Sequence, residues 1–238
     1  MPASRRKDLE RELSEAGDPD RAKVLAWFFK TGKGQYAEGD RFLGLNVPTM
    51  RRIALRYRDL ALKDLERLLA SPLHEHRLAA LEILVAQFEN ADEARRALIV
   101  EFYLQQTARI NNWDLVDASA PYMLGAHLLG QPTDILDQLA GSENLWERRI
   151  AIVATFAFLK KRELRPTFRI AERLLGDRHD LIHKATGWAL REAGKIDQAA
   201  LVRFLRKHYA RLPRTTLRYA IERFPPAQRE RILQGEFS

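Results

Sequence analysis

The sequence of 238 residues contains no cysteine, and this absence excludes disulfide bonds and thiolate metal sites. Long apolar segments are also absent, because the longest nearly apolar run, residues 150–159, is flanked by basic pairs. At roughly ten residues this run is far too short for a membrane span and is typical of a buried helix. The N-terminal stretch MPASRRKDLERELSEAG is charged throughout and lacks the apolar core of a signal peptide. We therefore predict a cytoplasmic protein without a membrane segment.

Patterns of familiar catalytic and cofactor sites are missing too. The glycine-rich stretch KTGKGQYAEGD, residues 30–40, follows a predicted helix and does not fit GxxxxGK[ST]. It predicts a loop between helices that could contact a phosphate backbone. No GxSxG motif is present. His179 and His183 are four residues apart without a third ligand, and His74 and His76 face opposite sides of a helix turn. We predict neither a metal site nor a cofactor.

Positive charge is in excess and unevenly distributed. The chain has 40 Lys and Arg against 32 Asp and Glu, a formal net charge of +8. Residues 141–223 alone contain 19 basic and 9 acidic residues, which is a local excess of +10 and leaves the remainder at −2. Such a distribution favours a polyanionic partner, nucleic acid or an acidic membrane surface. For any single cation, the alternative is a basic side chain covering the solvated back of a helix.

Apolar residues recur at three- and four-residue spacing through most of the chain, which is the periodicity of α-helices, and no convincing strand is present. Breaking residues divide the pattern into about a dozen short helices. The sequence therefore predicts an all-α fold, which we expect to form one domain over residues 1–238. The predicted breaks are Gly17-Asp18-Pro19, residues 31–39, Pro48, Ser71-Pro72, Gly130-Gln131-Pro132, Gly141-Ser142, Gly176-Asp177, Gly194 and Pro213.

The chain also repeats itself with a period of 34 to 36 residues. A period of this length predicts one antiparallel helix pair per repeat, stacked into a curved solenoid whose second helices line one face. Four of the five repeats begin with a cation, so we expect a basic stripe on that face. The first positions are Arg77, Trp113, Arg149, Lys184 and Arg218, and the positions four residues later are Leu81, Asp117, Val153, Trp188 and Glu222.

Two positions of this register combine an indole with a charge. Trp113 and Asp117 lie one turn apart on one helix face. The pair could form a site in which nearby cations keep the acid ionised, or it could be an acid near a helix N-terminus beside a core tryptophan. Trp188, four residues after Lys184, could be a stacking platform or a core residue. These residues alone leave the alternatives open.

Three separated motifs resemble the AlkD-like DNA alkylation repair family, over residues from about 30 to about 224. They are NNWDLVD (111–117), LWERRIAIV (145–153) and IHKATGWALRE (182–192), and GDRFLGLNVPTMRR (39–52) is similar to the N-terminal signature of that family. The resemblance implies a fold of HEAT-like helical repeats with a concave basic face. It also implies hydrolysis of the N-glycosidic bond of cationic alkylated purines, such as 3-methyladenine and 7-methylguanine, in duplex DNA.

The resemblance assigns roles to individual residues. Asp117 would stabilise the positive charge that develops on the deoxyribose and position a water molecule. The indoles of Trp113 and Trp188 would flank the sugar-phosphate, and Arg149 would hold a phosphate and keep Asp117 ionised. The further residues expected to contact DNA are Arg52, Arg148, Lys184, Arg191 and Arg218.

Three functions are compatible with this sequence. The first is an alkylpurine DNA glycosylase that acts as a monomer in a bacterial cytoplasm, without a cofactor. The second is a HEAT-like protein that binds damaged or branched DNA without cleaving the glycosidic bond. The third is a protein-interaction solenoid, which would leave the two indoles and Asp117 unexplained. Release of an alkylated base separates the first function from the second.

Overall fold

A computed structural model describes residues 5–237 and shows an all-α, helical-repeat fold, as predicted. Within those residues the only β-type pairing is a single parallel bridge between Arg41 and Leu73. The helices group into two compact units, an N-terminal unit that ends at Ser119 and a C-terminal unit that begins at Ala120. No helix in the described part of the chain is long and apolar enough to cross a bilayer. The expectation of one domain stays a prediction.

The N-terminal unit is organised around α5, a helix whose first eleven residues are all buried. Helices α3, α4 and α6 pack on it, so that both its apolar and its polar side chains lie inside. Polar caps start the shorter helices: Asp18 accepts hydrogen bonds at the start of α2, and Asn46 does so at α3. The helices are α1 Arg5–Glu15, α2 Pro19–Phe28, α3 Val47–Ala54, α4 Leu62–Leu69, α5 His74–Glu89, α6 Glu93–Gln105 and α7 Trp113–Asp117.

The C-terminal unit is organised around α12, which packs against α9, α11, α13 and α14. Its closest neighbour is α14, and Gly187 makes this approach possible: a Cβ there would lie 2.5 Å from Cβ of Tyr219 and 2.7 Å from the carbonyl oxygen of Thr216. The helices are α8 Asp134–Ala140, α9 Leu145–Ala154, α10 Phe156–Lys160, α11 Arg165–Arg173, α12 Asp180–Ile196, α13 Gln198–His208, α14 Arg214–Ala220 and α15 Pro226–Leu233.

The apolar run of residues 150–159 is buried as predicted, with only Phe156 partly exposed. It is not one helix, however, because α9 ends at Ala154 and α10 begins at Phe156. The hydroxyl of Thr155 donates to the carbonyl of Ile152 at 2.7 Å, a local bond that competes with the helical pattern.

One predicted helix break is wrong. Gly194 lies inside α12, which continues to Ile196. The glycine serves packing instead, since a Cβ at this position would lie 2.4 Å from Cδ2 of Leu201 on α13. The other predicted breaks fall in turns or at helix ends.

The repeat register is present in the helices, although the stripe of exposed cations is not continuous. The five first positions lie on α5, α7, α9, α12 and α14. Arg77 and Arg149 are buried, with 4% and 5% of their surface exposed, whereas Arg218 is exposed. The two buried guanidinium groups bind partners inside their own units. The expectation that four of the five repeats add a cation to one basic face is therefore wrong for Arg77 and Arg149.

Candidate functional site

The short helix α7 carries both residues of the Trp113–Asp117 pair. It begins directly after Asn112, whose side-chain oxygen accepts a hydrogen bond from the Trp113 amide at 2.8 Å. Both side chains are half-buried, and Asp117 is the last residue of the helix. An acid at this end gains nothing from the helix dipole, so helix stabilisation does not explain its presence.

The indole of Trp113 is fixed by two phenylalanines from the end of α2. It stacks on Phe29, with centroids 5.3 Å apart and an angle of 16° between the rings. Phe28 meets it edge to face at 6.2 Å and is itself 54% exposed. Neither phenylalanine can be assigned to this site from the sequence, since both lie more than eighty positions before Trp113.

The phenol of Tyr103 lies fully buried close to Asp117. Its hydroxyl donates to Oγ of Ser119 at 3.1 Å, and that hydroxyl donates in turn to the carbonyl of Leu115 at 2.6 Å. Burial raises the pKa of Tyr103, and the negative charge of Asp117 raises it further. The ring therefore stays neutral and supports α7 from inside the N-terminal unit.

A buried cluster of charges also contacts α7 and the residue before it. His74, at the start of α5, directs Nε2 to Asp114 at 2.7 Å and Nδ1 to Asp40 at 3.2 Å. Arg77 donates to the second oxygen of Asp40 at 2.6 Å, and Asn112 donates to Asp40 at 3.3 Å. Two cations and two anions thus balance in a site almost closed to solvent.

The pKa values within this cluster depend on its charges. Burial alone would lower the pKa of His74, but Asp114 and Asp40 outweigh it and raise the pKa to about 9. Burial would raise the pKa of Asp40, whereas its bonds to His74 and the charge of Arg77 lower it below the usual value. The sequence predicts no role for His74. One signal in the sequence could have identified it: polar residues at the start of α5 occupy every face of a helix that is otherwise rich in apolar residues.

The glycine-rich stretch forms turns closed by its own side chains. Gly32 donates its amide to Gln35, and Gly34 donates to Glu38 at 2.8 Å. The stretch ends at Asp40, the carboxylate of the buried cluster, so one role of this loop is to deliver that acid to α5 and α7.

The family-like motif after this loop is bound by a buried carboxylate. Glu75, 3% exposed on α5, accepts amide hydrogen bonds from Leu43 at 2.9 Å, Gly44 at 2.8 Å and Leu45 at 3.2 Å. Gly44 has a φ of 90°, and a Cβ there would lie 2.0 Å from the carbonyl oxygen of Asp18. The motif is thus fixed to both α5 and the start of α2.

In the C-terminal unit, the two neighbouring arginines on α9 have different surroundings. Arg149 is buried and donates to the carbonyl of Leu181 on α12 at 2.9 Å. Arg148 binds Asp177 at 2.6 Å and donates to the carbonyls of Ser142 and Glu143. Both therefore help to fix helix ends within this unit, and their predicted contacts with DNA stay predictions.

Trp188 is half-buried on α12, where its ring lies 4.3 Å from that of Phe156 at an angle of 52°. Lys184, one turn earlier, binds Asp180 at 2.8 Å and lowers the pKa of that acid. Arg191 pairs with Glu222 and with Glu192. The expected indole and both expected cations are thus placed along a single helix.

The remaining predicted residues lie at the surface. Arg218 on α14 and Arg52 on α3 are exposed, and Arg52 lines a surface cleft with Glu12 and Glu15. His179 caps α12 through Nδ1, and Nε2 of His183 donates to the carbonyl of Asp177 at 2.6 Å. Among residues 5–237 no group of three or more His, Asp or Glu side chains could hold a metal ion.

The model of a family described as "DNA alkylation repair enzyme" matches residues 9–224. A solved structure described as a predicted DNA alkylation repair enzyme from Enterococcus faecalis is similar, with a TM-score of 0.70 and 16% sequence identity. The match covers 88% of this chain and 97% of that one, and at such identity it shows a common fold. No curated protein matches the sequence.

Proposed function

The chain belongs to the DNA alkylation repair enzyme family, and from this premise we propose that it is a DNA glycosylase for cationic alkylated purines. A role in DNA alkylation repair, with DNA as partner, follows from the family. The finer proposal is hydrolysis of the N-glycosidic bond of 3-methyladenine and 7-methylguanine in duplex DNA. We further propose that the protein acts as a monomeric single domain in a bacterial cytoplasm, without a metal or cofactor.

The observation that carries this proposal is the geometry of α7. Asp117 and the indole of Trp113 lie one turn apart, both half-buried, and Phe29 fixes the indole. The acid occupies the dipole-unfavourable end of a five-residue helix. A carboxylate held beside an indole at a partly open position suits a substrate on which positive charge develops.

The leaving base needs little acid catalysis from the protein. An alkylated purine already carries a positive charge, and when the C1′–N bond breaks its electron pair leaves with the base and neutralises it. Positive charge then develops on the deoxyribose, where the carboxylate of Asp117 stabilises it. Water adds to C1′ and gives its proton to Asp117. Stabilisation of this kind is worth on the order of several kcal/mol in a site shielded from water.

The other residues would bind and orient the DNA. The faces of Trp113 and Trp188 would contact the sugar-phosphate, and Arg149 would bind a phosphate. Further phosphate contacts are proposed for Arg52, Arg148, Lys184, Arg191 and Arg218.

Release of free base from duplex DNA containing 7-methylguanine tests the proposal. The parent should release base, and Asp117→Asn should release it roughly 100- to 1,000-fold more slowly while it still binds the duplex. Trp188→Ala should lose both affinity and rate. Asp134→Asn removes an exposed acid at the start of α8 and is the matched control, with a rate close to the parent's.

One outcome would contradict the proposed activity, and another would contradict only the role of Asp117. If the parent binds the duplex and releases no base, the protein is a non-catalytic DNA-binding repeat protein. If Asp117→Asn releases base as fast as the parent, the assignment of Asp117 is wrong even though the activity exists.

A further inference from the structure

We propose that His74 is a positioning residue for α7, the helix that carries Trp113 and Asp117. Its ring bridges Asp114 on this helix to Asp40 at the end of the glycine-rich loop. The expected effect of His74 on base release rests on the proposed function. The structural part, that His74 sets the place of α7, stands apart from it.

The protonation state of His74 follows from its hydrogen bonds. Nε2 lies 2.7 Å from a carboxylate oxygen of Asp114, and Nδ1 lies 3.2 Å from one of Asp40. An ionised carboxylate only accepts hydrogen bonds, and a neutral imidazole has a single donor. Only the imidazolium form satisfies both contacts, and with 3% of its side chain exposed the ring is almost closed to solvent.

The groups that face His74 explain why a charge is stable there. Asp114 comes from α7, Asp40 from the loop before α3, and Arg77 from α5 itself. The two acids outweigh burial and the repulsion of Arg77, and they raise the pKa of His74 to about 9. The rings of Phe42 and Phe29 lie against the imidazolium, at 4.6 Å and 5.1 Å.

Helix α7 needs such an anchor because it is only five residues long. A helix of this length does not form on its own, since nucleation costs more than its few hydrogen bonds return. One oxygen of Asp114 accepts from the Leu115 amide inside the helix at 2.9 Å, while the other oxygen binds His74. The imidazolium therefore binds the first turn of α7 directly.

A second route runs from His74 to the same helix through stacked rings. The imidazole lies against Phe29, and Phe29 stacks on the indole of Trp113. When His74 loses its proton, one of its ring nitrogens can no longer donate a hydrogen bond to its carboxylate. The contact with α7 through Asp114 and the contact through Phe29 and Trp113 are then both weakened. Misplacement of a catalytic group by about 1 Å costs up to roughly 100-fold in rate.

Single-turnover base release by the full chain tests this role. His74→Gln should lower the rate at saturating protein roughly 10- to 100-fold, while the affinity for the duplex stays within about twofold. His76→Gln is the matched control, because His76 is also a buried histidine on α5 but contacts neither acid, and its rate should stay near the parent's. His74→Gln at the parent's rate, with a folded chain, would overturn the inference.

The pH profile supplies a readout that a purely structural role would not move. The parent's rate should fall as pH rises through about 9, where His74 deprotonates. Asp114→Asn preserves the shape of the side chain and removes a charge that raises the pKa of His74, so the fall should move to lower pH. This variant also serves if His74→Gln does not fold. A fall that stays at the parent's pH would contradict the proposal.

The NMR signal of the Trp113 indole separates the two proposals. In the parent it should shift with the same midpoint as the His74 ring. If the parent releases no base but the indole follows His74, the glycosylase proposal fails and the positioning role stands. If base is released and the indole signal does not shift with the titration of His74, the positioning role fails.

Discussion

The indole of Trp113 lies almost parallel to the ring of Phe29, with 5.3 Å between the ring centroids. Phe29 is 7% exposed and therefore has little freedom to move. The face of an indole can stabilise positive charge only where its direction is fixed, and this contact fixes it. The stack thus connects the end of α2 with the candidate site.

Phe29→Leu keeps an apolar side chain and removes the flat surface under Trp113. We expect a loss of no more than about 1.5 kcal/mol in unfolding free energy and a fall in base release of roughly tenfold, because the indole is less well oriented. Urea unfolding and single-turnover assays measure the two effects. Phe168→Leu, at a ring stacked on Phe204, is the control. Equal rates for Phe29→Leu and Phe168→Leu would contradict this prediction.

Glu75→Gln should destabilise the N-terminal unit. The carboxylate accepts three backbone amide hydrogen bonds, and a glutamine would leave at least one amide facing its own NH₂ group. Hydrogen bonds to a charged group contribute about 1.5–3 kcal/mol, so we expect a loss of that order in unfolding free energy. The midpoint of urea unfolding measures it, with exposed Glu66→Gln as control. A shift no larger than the control's would show that the carboxylate is dispensable.

Much of the fold could be predicted from periodicity. The spacing of apolar residues predicts helices, and the repeat register places Arg77, Trp113, Arg149, Lys184 and Arg218 on helices, as the structure confirms. The family resemblance is also confirmed. The predicted break at Gly194 is wrong because a glycine inside a helix and a glycine at its end look alike in sequence, and only the approach of Leu201 distinguishes them.

The buried charges could not be predicted in the same way. A cation at a repeated position indicates a surface unless its partner is known, and the partner of Arg77 is Asp40, 37 residues away. His74 is joined to acids 34 and 40 residues distant in two other segments. Periodicity identifies the face of a helix, but it contains no information about which distant carboxylate meets that face. The roles of the site residues in catalysis stay predictions.

Arg218→Ala should change the salt dependence of DNA binding. Arg218 is exposed on α14, and each phosphate contact contributes a slope of about −0.9 in log K against log salt. We expect the slope for duplex DNA to become less negative by about 0.9 in the variant. Fluorescence anisotropy at several salt concentrations measures it, with exposed Arg95→Ala on α6 as control. An unchanged slope would remove Arg218 from the DNA contacts.

Gly187→Ala should force α12 and α14 apart. The new Cβ would meet the Cβ of Tyr219 and the carbonyl oxygen of Thr216, and neither atom can move away by a rotamer change. Overpacking of this kind costs about 1–3 kcal/mol, which urea unfolding would detect. The control is Gly176→Ala, where a Cβ meets nothing within 4 Å and φ is not positive, so its stability should be nearly unchanged. If Gly187→Ala were as stable as Gly176→Ala, α12 and α14 would tolerate the added Cβ without a loss of stability.

His74 should make the stability of the chain depend on pH. Its pKa is about 9 in the folded protein against 6.5 for an ordinary histidine, so the folded state binds the proton more tightly. This contribution is fully present below pH 6.5 and is lost as pH rises through 9. A difference of this size corresponds to roughly 3 kcal/mol. Asp40 has the opposite sign: its pKa is lowered, so its contribution is lost only in acid.

Urea unfolding of the parent and of His74→Gln at a series of pH values measures the effect of His74. The difference in unfolding free energy between the two proteins should be largest near pH 6 and should shrink steadily towards pH 9, because in that range only the parent takes up a proton at residue 74 when it folds. His76→Gln should show no such decline, since burial lowers the pKa of His76 and its titration lies at lower pH. A constant difference between pH 6 and 9 would show that His74 is neutral in the folded protein.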